Sequence, residues 1–201
     1  MSDRHFGIIG YVAPVPIEKL NEQVRVGLAS ISFTKATDGT CVDVEGRIIN
    51  CTCGIPTGWP PAWALFPIDY DAYNRYGAKL FVSAFRAICR ATSSLLARSF
   101  HPVGVSLIAE RELEGRVDYV DWIQYYGPAV GAAIGVERIR TAGFHLLEEF
   151  PDGAFLALAK AEYTGEYLNR KAVVEGLGIA PRRIMARNPK TGEPTEVSWC
   201  H

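Results

Sequence analysis

Between Phe144 and Tyr163 the chain reads FHLLEEF, then PDG, then AFLALAKAEY. Two runs able to form strands flank three residues with distinct backbone preferences. Pro151 suits the first central position of a type I turn, Asp152 the second, and Gly153 the left-handed bulge that follows. A tight turn of this kind makes its two strands pair antiparallel. The expected fold is therefore built on hairpins and not on parallel strands joined by helical crossovers.

A second hairpin is expected nearer the start, where LASISFTKAT and TCVDVEGRIINCT are separated by Asp38-Gly39, a dipeptide suited to tight turns. FGIIGYV reads as a short strand, and IEKLNEQV after Pro16 as a short helix. The clearest helix is expected over 77–98, where Leu80, Phe81, Ala84, Phe85, Ile88, Leu95 and Leu96 recur at helical spacing. Lys79, Arg86 and Arg90 lie off that stripe, as a basic outer edge. Beyond Pro102, VGVSLIAERE reads as a strand and GRVDYVDWIQYYG as its partner, with GPAVGAAIGVERIRTAG helical after them. A last helix is expected in GEYLNRKAVVEGL, ending near Gly176 or Gly178, before a polar tail. Residues 54–68 hold four prolines, two glycines and two tryptophans, which predicts a structured loop able to serve as a surface platform. Strands and helices are interspersed without a βαβ rhythm, and no linker marks a boundary. The fold class is α+β: a single domain over 1–201, an antiparallel sheet with β-hairpins packed by a few helices.

Tests for chemistry give little. The glycines of WIQYYGPAVGAAIG, at 127, 131 and 135, are spaced by four, unlike either a dinucleotide fingerprint or a phosphate loop. Small residues at that interval let a helix pack closely against a neighbour. There is no H-E-x-x-H and no G-x-S-x-G, and His5, His101, His145 and His201 are isolated. PDGAFLALAK partly matches the signature of metal-dependent nucleases, but Leu158 stands where the metal-binding acid would be. Five scattered cysteines fit a reducing compartment better than a disulfide framework, and Cys41, Cys51 and Cys53 lack zinc-site spacing. The expectation is a protein that is not an enzyme, with no catalytic, cofactor-binding or metal-binding residues.

Charge carries more information. The chain has a net charge of −1, which argues against direct nucleic-acid binding. From Glu110 to Glu166, eleven acidic residues meet five basic ones, so this stretch carries −6 while the remainder sums to +5. Nothing near the start has the layout of a targeting signal, and no apolar run approaches membrane-spanning length, so a cytoplasmic protein with no membrane partner is expected. The candidate partner-binding residues combine aromatic anchors with acids. They are Trp122, Tyr125 and Tyr126 ahead of the glycine run, Glu148, Glu149 and Asp152 around the hairpin turn, and Trp59 and Trp63 in the proline-rich segment.

Residues 117–160 resemble the immunity protein 52 family of bacterial polymorphic-toxin systems. The resemblance is carried by Tyr125-Tyr126-Gly127-Pro128, by Ile134-Gly135 and by the turn Pro151-Asp152-Gly153. It implies an α+β fold, cytoplasmic residence in the toxin-producing cell, and a cognate toxin as partner. Such toxins are often restriction-endonuclease-like DNases delivered by type VI secretion, and the immunity protein neutralises them by binding. The resemblance implies no catalytic residues and no cofactor. The alternative from the residues alone is a small-molecule-binding or enzymatic α+β domain with its site near Trp59 and Trp63. A third reading is a structural adaptor within a secretion system.

Overall fold

The computed structural model describes residues 7–35, 40–43, 48–54, 62–67, 70–100, 110–117, 120–159, 170–179, 182–187 and 194–199. The strands are β1 (Gly7–Tyr11), β2 (Phe33–Lys35), β3 (Thr40–Asp43), β4 (Ile48–Gly54), β5 (Ala62–Pro67), β6 (Leu96–Phe100), β7 (Ile123–Tyr126), β8 (Leu146–Glu149), β9 (Phe155–Leu158), β10 (Arg182–Arg187) and β11 (Pro194–Trp199). The helices are α1 (Ile17–Ala29), α2 (Tyr70–Ala91), α3 (Glu110–Leu113), α4 (Pro128–Ile134), α5 (Val136–Thr141) and α6 (Arg170–Gly176). Nine strands form one sheet in the order β2-β3-β4-β5-β1-β6-β7-β9-β8, with every pairing antiparallel. The α+β reading with an antiparallel sheet and hairpins holds. No helix among the described residues is long and apolar enough to cross a membrane.

Helices cover both faces of this sheet. One core cluster joins Leu20, Val24 and Leu28 of α1 and Phe81, Phe85 and Ile88 of α2 to Leu156 and Leu158 of β9. The other joins Val130 of α4, Ile139 of α5 and Val173 of α6 to Phe155 and Ala157 of the same strand. Alternate residues of β9 thus serve opposite faces, as the period of a strand requires. Tyr125 and Tyr126 of β7 divide in the same way. Because neither face meets water, β7 and β9 are buried at every position and show no polar alternation.

The PDG hairpin forms as expected between β8 and β9. The Gly153 amide donates to the Phe150 carbonyl at 2.9 Å, the Phe150 amide to Ala154 at 2.9 Å, and Gly153 has φ +84°. These are the marks of a type I turn with a glycine bulge. β2 and β3 pair as the second hairpin predicted, with Asp38-Gly39 outside the described residues. TCVDVEGRIINCT, however, is not one strand: it folds on itself as β3 and β4.

Four other expectations are corrected. The proline-rich segment supplies β5, an interior strand paired with β4 and β1, and the only proline within it, Pro67, is its last residue. Proline is tolerated at the end of a strand where it is excluded from the middle. The major helix runs over Tyr70–Ala91, and Leu96 belongs to β6. Its end is a Schellman motif in which Ser94 donates to Cys89 at 2.9 Å, Ser93 donates to Arg90 at 3.3 Å, and Ser93 adopts φ +50°. Glu110–Glu112, the end of the expected strand VGVSLIAERE, belong to the helix α3, whereas 103–109 lie outside the described residues. The polar tail contains the antiparallel pair β10 and β11.

The glycine run is a packing device. A Cβ on Gly127 would lie 2.5 Å from the Ser94 carbonyl oxygen, and one on Gly131 would lie 3.2 Å from the Phe155 ring. Gly135, at φ +106°, breaks the expected single helix into α4 and α5.

Candidate functional site

β8 is the terminal strand of the sheet, and its turn presents Pro151 and Asp152 as exposed residues. The strand period sends Glu148 and Glu149 to opposite faces, where each meets an arginine of the covering layer. Glu148 Oε2 accepts from Arg86 Nε of α2 at 2.8 Å, with Arg86 Nη2 at 2.6 Å. Glu149 accepts from Arg140 of α5 at 2.8 Å through one oxygen and 2.9 Å through the other. Arg140 also pairs with Glu137. At the turn, Asp152 Oδ2 accepts from Arg90 Nη1 at 2.6 Å while Oδ1 accepts from the Ala154 amide at 3.2 Å.

Arg90 is placed by more than its carboxylate partner. Its guanidinium lies 4.6 Å from the centre of the Phe150 ring, within cation–π range. Its Nη1 also stands 3.5 Å from the Tyr125 hydroxyl. Burial, the largest cause, raises the Tyr125 phenol to about 12, while the Arg90 contact pulls it down. At Asp152, burial pushes the carboxyl up, but the hydrogen bonds from Arg90 and the Ala154 amide outweigh it and leave the group below its ordinary value.

The three acids named from sequence are therefore together, half-exposed, and each balanced by an in-chain arginine. Their side chains are 36%, 40% and 46% exposed for Glu148, Glu149 and Asp152. Two of the three arginines, Arg86 and Arg90, lie outside the 110–166 stretch whose sum suggested a bare negative face. Neutralisation across elements is invisible to a running charge count. The hairpin edge is a mixed-charge surface, tied to α2 and α5 by ion pairs.

The described aromatics are buried. Trp122 is 1% exposed, Tyr125 1%, and Tyr126 and Trp63 0%. Trp122 and Tyr125 pack in the core under α1 and α2, and Tyr126 in the core under α4 to α6. Trp63 donates its indole N–H to Ser94 and meets Phe85 edge-on, with ring centres 5.9 Å apart. These four side chains are core residues and present no surface to a partner in this conformation. Trp59 lies outside the described residues.

Sequence reasoning also passed over a buried ion pair. Arg98 of β6 and Glu112 of α3, each 2% exposed, meet in a two-fold contact at 2.8 and 3.1 Å. Arg98 was hidden inside the expected helix and Glu112 inside an expected strand. Gln124 beside this pair carries no sequence signal, and Tyr126, expected as a surface anchor, lies buried with it. Among the described residues, no group of three or more His, Cys, Asp or Glu is placed to hold a metal ion.

No family model matches the chain, so the resemblance in residues 117–160 rests on those residues alone. No curated protein matches it either. Among solved structures it is similar in fold to a Pseudomonas aeruginosa T6SS protein, PA0821, with a TM-score of 0.51 and 11% identity over 87% of this chain and 75% of that one. The regulatory subunit of aspartate kinase from Thermus thermophilus, in its ligand-free form, gives a TM-score of 0.28 at 12% identity over 88% and 93% of the two chains, too low to bear on the fold. What the comparisons establish is a shared overall architecture with a type VI secretion system protein.

Proposed function

We propose that this chain is a non-enzymatic immunity protein that binds and neutralises a cognate antibacterial toxin. The toxin is a restriction-endonuclease-like DNase delivered by type VI secretion, and the complex forms in the cytoplasm. The observation that carries this reading is the fold shared with the T6SS protein across most of both chains. The motif resemblance around Tyr125-Tyr126-Gly127-Pro128 and Pro151-Asp152-Gly153 points to the same class of system.

The hairpin edge supports the reading physically. A stoichiometric inhibitor works through a stable, preorganised surface, because ordering a loop on binding subtracts from affinity. The turn of β8 and β9 is fixed by its own hydrogen bonds and by Arg90, while Glu148, Glu149 and Asp152 remain accessible. A nuclease cleft must attract a polyanion and is therefore basic. Accessible carboxylates at a rigid edge are suited to such a cleft, because each can accept from an arginine of the toxin beside its in-chain one.

Co-purification with the product of the adjacent gene tests the proposal, followed by a DNA-cleavage assay with and without this protein. A stable complex with suppressed cleavage is expected. An active nuclease that neither binds this chain nor is inhibited by it would remove the reading.

A further inference from the structure

On the sheet face beneath α4 to α6, strands β6 and β7 bring four buried polar residues together. Leu96 of β6 belongs to that face, so Arg98, two residues on, shares it; Tyr126 of β7 belongs to it, so Gln124 does too. Arg98 and Gln124 are direct cross-strand partners, and α3 lays Glu112 over Arg98. Exposure is 2% for Arg98 and Glu112, 1% for Gln124 and 0% for Tyr126. The ion pair and the hydroxyl are electrostatically coupled, since both charges act on the Tyr126 phenol, which burial keeps protonated.

The hydrogen bonding of this cluster is incomplete in one specific way. Arg98 donates to both oxygens of Glu112. Gln124 Nε2 and the Tyr126 hydroxyl, both fully buried, have no hydrogen-bond partner among the described residues. More than nine in ten buried polar groups in folded proteins are hydrogen-bonded, and an orphaned one destabilises the fold. Two uncommitted donors on one face, beside a buried ion pair, ask for an acceptor.

We propose that Arg98, Glu112, Gln124 and Tyr126 form a buried binding site for a small ligand whose oxygen accepts from Gln124 Nε2 and the Tyr126 hydroxyl. That oxygen belongs either to a resident water or to the carbonyl of a small molecule, and α3 closes the site through the Arg98–Glu112 pair. The site lies within the core, apart from the hairpin edge, and does not depend on the toxin-binding reading.

The sign of one mutation tests it. If an acceptor is bound, Tyr126→Phe removes a satisfied hydrogen bond and lowers Tm, by about 3 °C for a chain of this size. If the hydroxyl is orphaned, the same change removes an unpaired buried dipole and leaves Tm unchanged or raised, which overturns the proposal. With one shared ligand, Tyr126→Phe combined with Gln124→Leu lowers Tm by less than the two changes summed, whereas strict additivity counts against a common acceptor. Native mass spectrometry of the purified full chain separates the sources. A small-molecule adduct released on denaturation identifies a metabolite; no adduct, with a water cross-peak to the Gln124 side-chain amide in a 15N-edited ROESY spectrum, identifies a water. Absence of both overturns the site.

Discussion

The indole nitrogen of Trp63 donates to the Ser94 hydroxyl at 3.0 Å inside the core, tying an interior strand to the residue that ends α2. Ser94 also lies 2.8 Å from the Thr92 hydroxyl, which donates to the Ile88 carbonyl. Beneath the same indole, Gly10 is the cross-strand partner of Trp63, and a Cβ there would come within 2.2 Å of the ring. The ring belongs to a side chain with no exposure and cannot swing away. Gly10→Ala should therefore destabilise the fold by about 3 kcal/mol, the overpacking regime. Trp63→Phe, which removes the N–H and part of the ring, should cost about 1–3 kcal/mol. Urea denaturation checks both, and a near-neutral Gly10→Ala would mean that β1 and β5 do not pack as described.

Ser93 occupies the left-handed position of the Schellman motif at φ +50° and is exposed. A residue bearing a Cβ is strained there by about 1 kcal/mol, and glycine is not. Ser93→Gly should raise stability by about 0.5–1 kcal/mol without altering any contact in the core. A thermal melt showing a lower Tm would contradict this helix end.

That serine also explains which parts of the fold were legible. At the end of α6 the same motif carries Gly178, at φ +66°, with Ile179 donating to Val174, and the sequence reading stopped the helix there. At α2 a serine took the glycine's place, the stop signal disappeared, and Leu95 and Leu96 were drawn into a helix that ends before them. Hairpin chemistry was readable at Pro151-Asp152-Gly153 because the turn is local. Trp63 was misplaced because proline density was counted over 54–68, whereas β5 contains only the last of those prolines. The acids of the candidate edge were found, but Arg86 and Arg90 pair with residues 62 positions away, which no local pattern encodes. Burial of Tyr125 and Tyr126 on opposite faces was likewise hidden, since a strand covered on both sides carries no alternation.

Asp152 supplies a pH test of the hairpin. Its carboxyl is depressed in the folded chain below the ordinary 3.8 by the Arg90 and Ala154 hydrogen bonds, against the opposing effect of burial. A depressed folded value contributes stability above the unfolded value, and that contribution is lost as pH falls through the folded value. The loss therefore lies below about pH 4. With the side chain 46% exposed, solvent screening holds the contribution to well under about 1 kcal/mol. Asp152→Asn should leave the neutral-pH Tm nearly unchanged and flatten a small part of the acid limb. A Tm at pH 7 lower by many degrees would show that the turn depends on this carboxylate far more than its exposure allows.

If Glu148, Glu149 and Asp152 steer a basic toxin, their in-chain arginines must be holding that attraction back. Reversing the acids removes the attraction but also strands three arginines beside the new charges, so a slower association alone would be ambiguous. The sharper variant leaves the acids in place and carries Arg86→Gln, Arg90→Gln and Arg140→Gln. Each arginine is at the rim of a half-exposed pair. Rim charges act mainly on encounter rates and not on residence times. The triple variant should therefore bind the cognate toxin with a faster on-rate, roughly several-fold at low salt, and the gain should shrink as added salt screens it. Stopped-flow association at two ionic strengths reads this directly. An unchanged on-rate at both would place the toxin contact away from the hairpin edge, while leaving the nuclease-inhibition assay free to decide the immunity reading on its own.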